Sequence, residues 1–257
     1  MIKLIIEWIK TIIRGKNQLK KLSNDEFQRQ FNAGIRDFSH TQLINVSFQG
    51  LTLRGLNFRH ADLRLVQDLH AEVCLANSDL TGVDLSGLNL RGLNFENTVL
   101  RQANLEGVNF SGASLRNVNL SAANLQEAIL EYADLTEADL AKAKLDRAVL
   151  HHAFLSGANL FQCSLEGANL NLADLEGSNL SKANFKFANL TWANLASTNL
   201  AETYFYGANL SWADLDDTNP TLAIIQKTCV DNVRLPAGFI IKRRWRRTGF
   251  EETARDQ

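Results

Sequence analysis

LANSDLTGVDLSGLNLRGLNF, residues Leu75 to Phe95, has Leu or Phe at every fifth position, and the beat runs unbroken to Leu215. It falls 29 times in succession, and only Phe95, Phe110, Phe185 and Phe205 depart from leucine. Two residues ahead of each beat stands a small or β-branched residue, with Leu88 and Leu93 as exceptions. Immediately ahead of it, Asn or Asp fills 20 of the 29 positions. That frequency points to a backbone role, since both side chains accept turn conformations and bond to nearby backbone groups. Repetition of this kind decides architecture before any other feature is weighed. Period five is neither 3.6 nor 2, so neither an amphipathic helix nor an ordinary strand accounts for it. The chain must instead turn by the same angle every five residues, returning each Leu or Phe to one axis. One large and one small apolar residue per unit then fill a narrow core. Gly falls two residues after the beat in many units, among them Gly82, Gly92, Gly112, Gly157 and Gly207, where a corner with positive φ is expected.

Units such as Ala103-Asn104-Leu105-Glu106-Gly107, Ala158-Asn159-Leu160 and Ala208-Asn209-Leu210 resemble the A(D/N)LXX motif of pentapeptide repeat proteins. The resemblance covers most of the chain. It implies an all-β solenoid, a right-handed quadrilateral β-helix with four units per coil. The Leu/Phe and the small residue would point inward and the other three outward. At about 4.8 Å per coil, the 29 units make about seven coils and a rod of roughly 34 Å.

Residues 1–37 are expected to form an N-terminal helical cap, 38–239 the β-helix, and 240–257 a basic tail. In the first segment, Ile2, Ile5, Ile6, Ile9, Ile12 and Ile13 make one helical stripe. The stripe is too short and too interrupted by charge to span a membrane. It suits a lid over the first coil, a pairing helix in a homodimer formed through that end, or a membrane-surface element. A second helix is expected from Ser23, whose spacing to Glu26 fits a capping box, with Gly34 as its stop. Such end caps are what solenoids need for solubility. The beat starts at Phe38 and reaches Leu63, after which Leu69 and Leu75 each arrive six residues on. This register slip at 64–74 reads as two one-residue bulges rather than a lost coil. From 216 to 239 the final coil is irregular, although Ile225, Val230 and Leu235 keep phase. The tail carries Lys242, Arg243, Arg244, Arg246 and Arg247 around Trp245, a run that could touch phosphates or anionic lipid.

The 257 residues carry a net charge of −1, with no overall bias toward nucleic acid. Three scattered cysteines, Cys74, Cys163 and Cys229, fit no pairing or metal spacing and suggest a reducing, cytoplasmic setting. No phosphate loop, CxxC pair or HExxH helix occurs. His151 and His152, adjacent on one outward edge, are a weak candidate for a metal or proton site and read more simply as surface residues. No catalytic residue, cofactor or metal is therefore expected, and the chain is read as a non-enzyme.

Some pentapeptide repeat proteins are DNA mimics that inhibit type II topoisomerases, and others, abundant in cyanobacteria, act in the regulation of differentiation. A mimic of duplex DNA, which carries one charge per about 1.7 Å, would present on the order of 20 negative charges over such a rod. Residues 75–215 hold 15 acidic against 8 basic side chains, a net of −7, so mimicry and nucleic-acid binding are both disfavoured. The outward columns are more informative. With 20 residues per coil, positions 20 apart stack, and one column two residues after the beat reads Gly92, Gly112, Tyr132, His152, Leu172, Trp192, Trp212. Beside it, Ile129 and Val149 replace the usual Asn, and the adjoining face adds Phe187, Tyr204 and Tyr206. An apolar stripe on a polar rod is a candidate interaction surface, and Trp and Tyr are common interface anchors. The same stripe would also suit a fold-back of the C-terminal segment, or simple stacking along the coils. The reading favoured here is an interaction or scaffold protein for an unidentified protein partner, possible regulation included. A topoisomerase-inhibiting DNA mimic is the alternative, and a membrane-surface adaptor acting through the N-terminal stripe is a second.

Overall fold

The computed structural model describes residues 19–67, 69, 73–220, 223, 225 and 227–237. The isoleucine stripe before residue 15 and the basic run around Trp245 lie outside these residues.

One unit, 119–123, shows why five residues close. Asn119 N–H donates to Thr98 O in the preceding coil at 3.0 Å, and Leu120 N–H to Asp139 O in the next at 2.7 Å. Ala122 N–H also reaches forward, to Ala141 O at 2.9 Å, while Ala123 N–H closes the turn on Leu120 O at 3.0 Å. The remaining amide, Ser121 N–H, donates to Asn119 Oδ1 at 3.0 Å. Every backbone donor of the unit is thereby satisfied, and the Asn slot is the side chain that completes the set. Repeating this unit gives a ladder of parallel bridges between residues 20 apart, from Cys74↔Asn94 to Asp214↔Arg234. The chain is a right-handed quadrilateral β-helix, the hand that parallel crossovers take.

The core is the beat itself. From Leu75 to Leu215 each beat residue is at most 2% exposed, and the small-residue slot is buried too, apart from half-buried Leu88. The Asn slots add a second ladder along the outside. Asn159 Nδ2 donates to Asp139 Oδ1 at 3.0 Å, and Asn179 Nδ2 to Asn159 Oδ1 at 3.1 Å, so amide side chains link coils as well as turns.

At the slip, Ser47↔Gln67 and Cys74↔Asn94 are 20 apart, but Asn57↔Asp79 and Asp62↔Asp84 are 22 apart. Two extra residues therefore enter between Gln67 and Cys74 while the coils on either side stay paired. At the C-terminal end, Asn209↔Cys229 keeps the 20-residue offset, and Thr228 Oγ1 donates to Phe205 O at 2.6 Å.

The second helix starts at Ser23 as expected, but the cap ahead of it is not helical throughout. Strand β1, Lys20–Ser23, pairs in parallel with β2, Thr41–Ile44, setting Leu22 opposite Leu43. The physical reason is that the first coil offers a row of backbone groups that an extended segment can satisfy, and Leu22 enters the core. Helix α1, Asn24–Asn32, then starts where Ser23 Oγ accepts Glu26 N–H at 3.4 Å and stops before Gly34, whose φ is +86°. Its buried Phe27 seats on the coil, with ring centroids 4.6 Å from Phe38 and 5.5 Å from Phe48.

Four faces result, numbered here by their beats: face I at 75, 95 and onward by twenties, face II at 80 and 100, face III at 85 and 105, face IV at 90 and 110. The residue two after each beat is a corner. The candidate surface lies on the two corners that border face IV.

Candidate interaction surface

The corners are conformationally costly for bulky residues. At the corner between faces IV and I, φ is +56° at Tyr132, +55° at His152, +59° at Leu172, +62° at Trp192 and +63° at Trp212. The i to i+3 hydrogen bond and a positive φ at the third residue mark each corner as a type II-like turn. An L-residue held there costs roughly 1 kcal/mol that glycine avoids. Gly92 opens the same column at +69°, so the fold accepts glycine at this corner. The five residues after Gly112 in the column are bulky nonetheless.

Four of them are also exposed, and His152 is half-buried. Tyr132 is 56% exposed, Trp192 54% and Trp212 48%. Neighbouring rings lie flat on one another: Tyr132 on His152 at 5.0 Å and 11°, Trp192 on Trp212 at 4.7 Å and 7°. The separation is about the spacing of adjacent strands, so the ring stack follows the coil pitch. Phe154, two residues past His152 on face I, is 49% exposed and widens the apolar strip. On the face IV side, Ile129 and Val149 occupy Asn slots; like Phe154, they carry no acceptor for the turn amide that Asn119 caps in its own unit. His151 Nδ1 pairs with Asn171 O at 3.0 Å and its ring meets His152 edge-on at 4.3 Å, so this His pair is held by packing. Among the described residues no cluster of His, Cys, Asp and Glu is suited to a metal.

The corner between faces III and IV is built differently. Phe187, φ +58°, meets Tyr206 edge-on at 5.8 Å, and Tyr206 stacks on Tyr204 at 6.0 Å. Phe187 lies over the backbone of Gly207, where an added Cβ would stand 2.5 Å from Phe187 Cδ1. Two cations complete the cluster. Lys186 Nζ sits 5.0 Å from the Phe187 ring centre while bonding Glu166 Oε1 at 2.9 Å, and Lys227 Nζ sits 5.4 Å over Tyr206. The hydrogen bond to Glu166 raises the Lys186 pKa, and the one to Tyr206 raises that of Lys227.

The eight residues singled out in the sequence thus fall into two groups. Tyr132, His152, Leu172, Trp192 and Trp212 share one corner; Phe187, Tyr204 and Tyr206 form a separate cluster across face IV, with Tyr204 and Tyr206 half-buried. Sequence reasoning missed Phe154. Its signal was present, an aromatic in an Asn/Asp slot within the face I column Asp134, Phe154, Asp174, Asn194, Asp214.

A family profile described as pentapeptide repeats matches residues 37–66, 78–117, 119–157, 158–196 and 183–219. The matches span well over half of the chain, which therefore belongs to the pentapeptide repeat family. No curated protein matches it. Among solved structures it is similar to HetL, described as involved in heterocyst differentiation regulation, from the cyanobacterium Nostoc sp. strain PCC 7120. That pair is 27% identical over 84% of this chain and 93% of HetL, with a TM-score of 0.40. Trypsin-treated QnrB1, a plasmid-mediated fluoroquinolone resistance protein, is 20% identical over 63% of this chain and 82% of its own, with a TM-score of 0.53. This second likeness supports the shared fold. A pentapeptide repeat protein of the Arabidopsis thaliana thylakoid lumen is 35% identical over 37% of this chain and 67% of its own, with a TM-score of 0.37.

Proposed function

We propose that this chain is a non-enzymatic interaction protein that presents the IV/I corner to a protein partner. The observation that carries the reading is the run of bulky residues from Tyr132 to Trp212, all held at positive φ and all exposed except half-buried His152. A corner that needs only to turn is served better by glycine, so the retained aromatic area is best explained by contact with something outside. A DNA-mimic role has less support. The carboxylates of face I are interrupted by Phe154 and Ala196, and at either end they are neutralised, Asp134 by Arg116 at 3.0 Å and Asp214 by Arg234 at 2.8 Å. A cytoplasmic setting suits the three free thiols, one of which, Cys163, is fully buried with its pKa pushed up by burial. The membrane-surface alternative rests on the isoleucine stripe outside the described residues and gains nothing from the rod.

The test is the double change Trp192→Ser with Trp212→Ser. Folding stability should fall by no more than about 1.5 kcal/mol, the worth of the lost ring stack, whereas affinity capture or self-association should weaken by about 1–3 kcal/mol per ring removed. Unaltered association would place the functional surface elsewhere on the chain.

A further inference from the structure

The two corners of face IV use the same materials, with one component missing from the second. At III/IV an aromatic ring, a carboxylate and a cation meet: Phe187, Glu166 and Lys186, with Lys186 Nζ 2.9 Å from Glu166 Oε1 and 5.0 Å from the ring centre. At IV/I the aromatic column runs beside carboxylates. Two residues past Tyr132, Leu172 and Trp212 stand Asp134, Asp174 and Asp214, and Glu131 and Glu176 flank the same corner on faces IV and I. Faces IV and I carry no Lys or Arg at all from Ile129 to Asp217. Arg116 and Arg234 reach in only at the two ends, to Asp134 and Asp214. At the centre, Asp174 accepts Ser156 Oγ at 2.6 Å and Asn194 Nδ2 at 3.0 Å, and Glu176 accepts Asn194 Nδ2 at 3.2 Å. Neither is paired with a cation among the described residues. Like charges left side by side along an apolar ladder repel one another, and a cation from outside would relieve them while stacking on the rings.

We infer that the partner presents an arginine-bearing basic segment, which lies along the IV/I corner with its guanidinium groups between the ring column and the Asp174–Glu176 carboxylates. This deepens the function proposed above and rests on it. Arginine fits better than lysine because its planar group both stacks on an aromatic face and forks onto a carboxylate. The chain already shows the stacking half of that geometry, with the Arg36 guanidinium 4.4 Å from the Phe31 ring centre.

The experiment titrates the full chain, near physiological salt, with a labelled arginine-rich peptide, its lysine counterpart and its glutamate counterpart. The arginine peptide should bind, the lysine peptide more weakly, and the glutamate peptide not at all. Asp174→Asn with Glu176→Gln removes both charges and leaves one amide oxygen at each position to accept from Asn194, while the Ser156 hydroxyl must turn to accept from the new amide. It should weaken binding about tenfold or more, as should Trp192→Ser with Trp212→Ser. Absence of arginine-peptide binding, or binding that neither pair of changes weakens, overturns the inference. If affinity capture still depends on the two tryptophans while the arginine peptide fails to bind, the partner surface stands and its basic character falls. Binding that appears only after Arg243, Arg244, Arg246 and Arg247 are changed to Gln would make the chain's own tail the occupant, and likewise overturns the proposal of a separate partner.

Discussion

Phe187 and Trp192 are five residues apart, at equivalent corners of the same coil, and they do different work. Phe187 is tied into its surroundings: Gly207 makes room beneath its ring, Tyr206 meets its edge and Lys186 covers its face. Trp192 is no more exposed than Phe187, but it touches only a ring of its own kind, Trp212, on a strip whose central carboxylates, Asp174 and Glu176, pair with no cation among the described residues. The backbone strain is nearly identical, φ +58° against +62°. What differs is whether the molecule itself supplies the compensating contacts. Where it does, the aromatic belongs to the fold; where it does not, the aromatic is available for recognition. Five substitutions, at three levels of expected effect, probe that distinction.

The largest effect is expected at Gly207. Valine there would hold a β-branched residue at φ +68° with its Cβ 2.5 Å from Phe187 Cδ1. The backbone alone should cost about 1–2 kcal/mol, and expulsion of the ring adds to it. Denaturant unfolding measures the loss, and the aromatic NMR shifts of Tyr204 and Tyr206 should move with it. A neutral outcome would mean that Phe187 is as loosely held as Trp192, and the contrast between the corners would collapse.

A smaller effect is expected for Lys186→Met, which keeps the side chain's length and removes its charge. Pairing with Glu166 raises the Lys186 pKa above its ordinary 10.5. The sign follows: the stabilisation is complete below that ordinary value and disappears as pH rises through the raised one. Wild type should therefore melt slightly above the variant throughout the neutral range. The gap should close in strong alkali and narrow with added salt, because the pair is exposed. Glu176→Gln, the matching carboxylate change at the other corner, should produce no such alkaline convergence, since no cation of the described chain pairs with it. Parallel behaviour of the two variants would show that the corners are electrostatically alike.

How much of this could be read in the sequence follows from what periodicity encodes. A beat at Leu160 or Leu190 reports only that a side chain returns to the axis, and that sufficed for the core, the four faces and the column Tyr132 to Trp212. It says little about what lies beside a column. Asn159 could be read as a turn former, yet its amide also reaches Asp139 in the preceding coil, a contact visible only once coils are stacked at a known offset. Phe154 escaped because it sits in a slot whose usual occupant is polar. The apparent single stripe divided in two because five residues separate Phe187 from Trp192, a whole face of the square. The pairing of Lys20–Ser23 with Thr41–Ile44 was hidden for another reason: its offset is 21 residues, outside the beat.

The smallest effect, and the sharpest division between the corners, should come from Trp192→Gly. Loss of the Trp212 stack removes about 0.5–1.5 kcal/mol. Against it, glycine relieves a left-handed φ of +62°, worth roughly 1 kcal/mol, less the part returned to the more flexible unfolded chain. These contributions nearly cancel, so the midpoint of unfolding should hardly shift. Phe187→Gly gains the same backbone relief but forfeits the Tyr206 edge contact and uncovers Lys186, so it should be the less stable of the two. Thermal melts of both variants decide the matter. If Trp192→Gly were instead to lose more than about 2 kcal/mol, the tryptophan ladder would rank with the large-effect structural sites, and its exposure would have to be read as incidental to holding the coils together.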